Sequence, residues 1–212
     1  DHLCQLVSIT TRNFAVTTIT KKDRNRQRLV DATLLALVQF GYADASISKI
    51  IQIAGLSRGM IHLHFENKDA LLAAAAEQAS KEYYAGFENW IKDTPPTPQG
   101  RLEAIVDYDL SPDVLSEKNI CTWYELRGAA RTCPSIGLFT GTRDTQLEDI
   151  YTETFKAMTD DQELIQDATY GTISLSEGIW IDFMLNPSDF DRKAARRVIF
   201  KFLSGLFPEL QN

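Results

Sequence analysis

Arg58, Gly59, Met60 and His62 fall within one short run, Ser57-Arg58-Gly59-Met60-Ile61-His62-Leu63-His64-Phe65. Ile61 and Phe65 are one helical turn apart and would share a face, leaving Arg58, Met60 and His62 on the other. A guanidinium at the start of an exposed helix can donate two parallel hydrogen bonds to the O6 and N7 atoms of guanine. A glycine beside it lets the backbone approach a base closely. Ser48, Arg58, Gly59, Met60 and His62 are therefore candidates for facing base edges. Ser46, Lys49 and Lys68 are candidates for phosphates, since they lie at helix starts or carry positive charge. A solvated helical corner can carry the same residue types, so the elements that position them decide between the two readings.

Those elements are legible. Ser46 is a good N-cap, and Ile47, Ile50, Ile51 and Ala54 recur at helical spacing. Gly55 sits where the chain must turn sharply, and Ser57 can cap the helix that follows. This is the layout of a helix-turn-helix, whose second helix enters the major groove of DNA. Ahead of it, a helix is expected from about Arg24 to Phe40, with Leu29, Thr33, Leu37 and Phe40 on one stripe and Gly41 as its stop. Tyr42 is expected in the core or at a hinge. Residues 21–28 (KKDRNRQR) hold five basic side chains and one acid and read as an arm along phosphates. Residues 1–20 show no helical period and are an arm of unknown structure.

Phe40-Gly41-Tyr42, Ala54-Gly55-Leu56-Ser57, Gly59, His64-Phe65 and Lys68-Asp69-Ala70-Leu71-Leu72 together resemble, in order and spacing, the DNA-binding head of TetR-family repressors. The resemblance implies an all-α homodimer with an N-terminal three-helix DNA-binding domain. It would hold double-stranded operator DNA until a small-molecule effector releases it. His64 joins the DNA-binding set through the family motif. Two departures stand out: His62 and Leu63 occupy positions where many members carry an aromatic, and Ile51 replaces the usual alanine.

The chain has 212 residues and a net charge of −7. Residues 1–69 carry 9 basic and 6 acidic side chains (+3), and residues 70–212 carry 13 and 23 (−10). A basic head on an acidic body confines phosphate attraction to one end. No stretch approaches the ~20 apolar residues of a membrane span, and the first twenty residues do not read as a signal peptide. Cys4, Cys121 and Cys133 fit no metal spacing and leave one thiol unpaired in any disulfide scheme, which points to a reducing cytoplasm. The three histidines lie at positions 2, 62 and 64, and no nucleophile motif, zinc motif or glycine-rich phosphate loop is present. The carboxylate pairs Asp107/Asp109 and Asp160/Asp161 are expected on helix surfaces or caps. No enzyme, cofactor or metal is expected.

Beyond the head, helices are expected over 67–92, 99–111, 117–132, 135–158, 161–185 and 189–206. The stretch 93–98 (DTPPTP) breaks the first, Pro98 after Thr97 suits the first helical position of the second, and Asp160 with Glu163 would cap the fifth. The last two are amphipathic and suit a four-helix interface between two chains. Residues 21–69 and 70–212 thus read as a DNA-binding domain and an effector-binding, dimerising domain.

Within that body Arg101-Leu102-Glu103-Ala104-Ile105-Val106, Trp123, Pro134, Tyr170-Gly171 and Glu177-Gly178-Ile179-Trp180 resemble the choline-responsive BetI-type branch. A quaternary ammonium site needs aromatic faces and often a carboxylate, because the ring quadrupole attracts a desolvated cation. Tyr108, Trp123, Tyr124 and Trp180, with Glu125 or Glu177, could supply them. Arg127 falls where that branch tends to carry an aromatic; a cation there would repel choline and suits a small carboxylate effector instead. The competing reading is an all-α small-molecule carrier whose head no longer binds DNA.

Overall fold

The computed structural model describes residues 20–140 and 145–211, so all of the expected arm at 1–20 except Thr20 lies outside the described residues. The described residues form α-helices with no strand. The first is α1 (Lys21–Asp44), capped by Thr20, whose hydroxyl accepts from the Asp23 amide while the Asp23 carboxylate accepts from Thr20. The basic run 21–28 is thus the opening of α1, not an arm. Two of its cations serve the fold: Arg28 donates to the Ala54 carbonyl at 2.6 Å, and the Arg26 guanidinium lies 5.1 Å from the Phe65 ring centre. The helical hydrogen bonding breaks at Gly41, whose φ of 70° marks a sharp kink. Leu29, Thr33 and Leu37 are buried as expected, but Phe40 is partly exposed under the Lys49 ammonium, 4.2 Å above its ring.

The turn chemistry of the head follows the sequence. Ser46 caps α2 (Ile47–Ala54), and Gly55 ends it in the left-handed conformation at φ 60°. The next helix, α3 (Gly59–His64), has no side-chain cap, so Ser57 does not play that part; its carbonyl instead accepts from the Met60 amide. Asn67 caps the long α4 (Lys68–Trp90), and Thr97 caps α5 (Pro98–Asp109) with proline at the first helical position. Then come α6 (Glu117–Ala130), α7 (Pro134–Thr140) and α8 (Thr145–Lys156). The helix expected over 135–158 corresponds to α7 and α8, with residues 141–144 outside the described residues. The cap of α9 (Gln162–Leu185) is Asp161, which accepts from the Glu163 and Leu164 amides, not Asp160. Asp191 caps α10 (Arg192–Leu206) in the same way.

Two hydrophobic clusters hold these helices. One joins Leu29, Leu37, Ile50 and Ile61 of the head to Leu71, Leu72, Ala75 and Ala76 of α4, and also to Leu126, Ala129 and Ile136 of α6 and α7. The other fills the body with Leu102, Ile105, Trp123, Tyr151, Phe155, Trp180 and Phe183. The head cluster thus runs past residue 69 and draws in two body helices, so packing does not stop at the expected domain boundary. Gly171 of α9 faces Phe202 of α10, and a Cβ at 171 would run into that ring. The missing side chain at Gly171 lets α10 of the same chain approach α9 at this point.

Candidate DNA interface and effector site

The head presents one exposed face. Arg58, Gly59 and His62 are exposed and Met60 is partly so; a Cβ at Gly59 would meet nothing within 4 Å. Ser46 and Ser48 are exposed at the start of α2, beside Lys49. Lys68 lies behind them, 5.1 Å from the Tyr42 ring centre. His64 does not share this face: both its ring nitrogens are buried and have no hydrogen-bond partner among the described residues. The residue itself is half-buried, at the end of the short α3 and next to buried Phe65. Leu63, the residue before it, is 61% exposed. The sequence offered one signal for it, an apolar residue that the Ile61/Phe65 stripe does not absorb.

In the body, α6 and α9 bring Trp123, Tyr124, Arg127, Glu177 and Trp180 together. The Arg127 guanidinium lies 5.9, 5.5 and 5.6 Å from the ring centres of Trp123, Tyr124 and Trp180. Its Nη1 donates to Glu177 Oε2 at 2.6 Å, and the Tyr124 hydroxyl donates to the Glu177 carbonyl at 3.2 Å. Three aromatic faces and a carboxylate thus surround a cation, and the cation is the protein's own. The cavity left beside this cage is about 30 Å³, roughly the share of liquid volume of one water.

Glu125 and Tyr108 do not join this cage. Glu125 points to the head, where its Oε2 accepts from the Tyr42 amide at 2.6 Å. The kink at Gly41 leaves that amide without a helical partner, and the carboxylate supplies one. Tyr108 donates its hydroxyl to the Tyr83 carbonyl at 2.6 Å and packs against Trp90, with ring centres 5.9 Å apart. It lines a separate crevice of about 530 Å³ between α4, α5 and α6.

Asp109 is a further correction. Far from lying on a surface, it is 3% exposed and accepts from the Tyr83 hydroxyl at 3.1 Å. Burial pushes its carboxyl up to about 6, opposed by the Tyr83 hydrogen bond. Burial also raises Glu177, outweighing the Arg127 cation beside it. Because the folded value of Asp109 lies above its unfolded one, its contribution to stability is fully present below about pH 4 and is lost as pH rises through about 6. Asp109→Asn, whose amide oxygen still accepts from Tyr83, should raise stability at pH 7.5 by about 1–3 kcal/mol and flatten the pH dependence between 5 and 7. Thermal melts of both proteins across that range check this; parallel curves would count against it.

A family model described as the bacterial regulatory proteins, tetR family, matches residues 29–75, covering the head. A second, described as the C-terminal part of BetI-type transcriptional repressors, matches residues 98–208, more than half of the chain. The chain belongs to the TetR family. Its body is of the BetI type, and a chain of this family is a ligand-responsive DNA-binding regulator of transcription, not an enzyme. Similar proteins include the HTH-type transcriptional regulator BetI of Ectopseudomonas mendocina, 29% identical over 180 residues, covering 84% of this chain and 91% of that one. BetI of Proteus mirabilis is 28% identical over 184 residues, covering 84% and 89%. Among solved structures, a transcriptional regulator from Pseudomonas aeruginosa superposes with a TM-score of 0.79 at 23% identity, covering 88% of this chain and 92% of its own. A regulator from Saccharomonospora viridis, solved in complex with choline, gives 0.73 at 17% identity, covering 85% and 96%. Both share the fold of this TetR-family chain. None of its described helices is long and apolar enough to cross a membrane.

Proposed function

We propose that this regulator is a homodimeric repressor whose paired heads hold an operator and let go when an organic cation enters the body. The observation that carries the DNA-binding half is the exposed face of α3, where Arg58, Gly59 and His62 are free of the core while Ile61 and Phe65 anchor the helix. Ser46, Lys49 and Lys68 flank it as phosphate contacts, and Arg58, Met60, His62 and Leu63 reach base edges. Dimerisation is supported by Ile181 and Leu185 on α9 and Val198 on α10, large apolar side chains that stay exposed, Leu185 at 66%.

For the effector, a cation fits better than a carboxylate. An anion paired to Arg127 would have to part it from Glu177 beside a second acid, Asp109, and a free cation in that cage would have to displace Arg127 itself, so the cage favours neither and a cation must find other aromatic faces. The choline bound to the Saccharomonospora viridis protein points to the same ligand class.

The test is binding to promoter DNA beside the protein's own gene, titrated against salt. Specific binding with a steep salt slope supports the repressor; affinity no better than for random duplex favours the carrier reading. Lys68→Ala should weaken all duplexes alike and reduce the salt slope by about 1.

A further inference from the structure

We infer that the effector of this chain is a bulky lipophilic organic cation bound in the crevice between α4, α5 and α6, not in the Trp123/Tyr124/Trp180 cage. This inference rests on the regulator reading above and adds the place and the ligand class. Two observations carry it. The cage is filled: Arg127 occupies its centre, paired with Glu177, and the adjoining cavity is only about 30 Å³. The crevice is open: about 530 Å³, within the ~300–1,000 Å³ typical of small-molecule sites.

Its lining suits such a ligand. Tyr83, Trp90, Tyr108 and Trp123 form an aromatic wall, with Tyr83–Tyr108 centres 5.3 Å apart and Tyr83–Trp123 centres 6.4 Å apart. Gly86 makes room for it, since a Cβ there would collide with the Tyr108 hydroxyl. Trp90 is 43% exposed although it is the largest side chain of its helix, so a ligand could cover an apolar ring that the fold leaves uncovered. Glu82 and Asp113 line the crevice with a single cation, Lys118, leaving its charged lining net negative. Aromatic faces with a carboxylate excess attract a cation and repel an anion. The crevice also reaches Leu34 of α1, so a ligand there touches the head directly.

The experiment titrates the full chain with tetraphenylphosphonium, its size-matched anion tetraphenylborate, and choline, following tryptophan fluorescence and calorimetry. The phosphonium should bind and quench, with affinity falling about tenfold in Trp90→Ala and in the Glu82→Gln/Asp113→Asn double variant. The borate should bind at least about tenfold more weakly, because like charges in the lining disfavour it. Circular dichroism melts of each variant separate lost binding from lost folding. Equal binding of the borate, or phosphonium affinity untouched by both variants, overturns the inference. So does choline binding that Trp180→Ala abolishes, which would place the ligand in the cage. DNA binding measured on the same preparation keeps the two readings apart: an operator-binding protein that ignores the phosphonium sinks this inference alone.

Discussion

Replacing Glu125 by alanine should leave a repressor that still folds and still binds its operator but no longer lets go when the body is occupied. Glu125 is the one side chain of α6 whose carboxylate meets the head, accepting from the Tyr42 amide beside the Gly41 kink. The same helix carries Trp123, Tyr124 and Arg127 on its other side. A ligand that shifts α6 therefore pulls on the end of α1, and with it on the small helices α1 supports. Coupling of this kind is typically worth about 1–3 kcal/mol, or five- to 150-fold in affinity. In Glu125→Ala the ratio of operator affinity without and with the phosphonium should fall toward one. Loss of a charge-assisted hydrogen bond should also cost about 1.5–3 kcal/mol of stability. Glu125→Gln, which keeps an acceptor oxygen, should restore part of both. Faster amide exchange at Tyr42 would locate the defect. A variant that retains the full release ratio would show that α4 alone carries the signal.

Arg58→Ala should have the largest effect on sequence preference. Arg58 is exposed at the residue preceding α3 and makes no contact needed by the core, so its removal leaves the head folded. If it grips guanine through two hydrogen bonds, the operator should lose about 1–3 kcal/mol of discrimination at one base pair in each half-site. Competition between the operator and single-base variants reads this directly. Affinity for random duplex should change far less, in contrast to the uniform weakening expected of Lys68→Ala. An unaltered preference profile removes Arg58 from the base-reading set and leaves His62, Met60 and Leu63.

The parts of this fold that were legible in the sequence are those written in local chemistry. Ser46, Gly55 and the Thr97-Pro98 pair each act within one turn of themselves, so residue type and spacing suffice. The kink at Gly41 was expected as a stop, but the helical residues 42–44 beyond it depend on Glu125, 83 positions away. Asp109 looked like a surface acid because its burial comes from Tyr83 and the packing of α9, which no window around it contains. The burial of the His64 ring nitrogens and the exposure of Leu63 were hidden for a related reason. In a helix of six residues a small rotation decides which neighbour faces inward, and that rotation is set by α1 and α4. The approach of Arg127 to Glu177 spans 50 positions and two helices, so the sequence could name both residues without showing that they fill the cage.

A guanidinium held inside an aromatic cage by its own chain is also an intramolecular competitor. Tethered on the same helix as two of the rings, it faces them at an effective concentration that for short tethers reaches the millimolar range. Any free cation seeking that cage meets an apparent dissociation constant raised by the reciprocal of the fraction of molecules in which Arg127 has swung out. Swinging out also strands Glu177 in a partly buried position, which lowers that fraction further. The cage is in this sense set against small cations, and Arg127→Ala should hand the same rings a choline response.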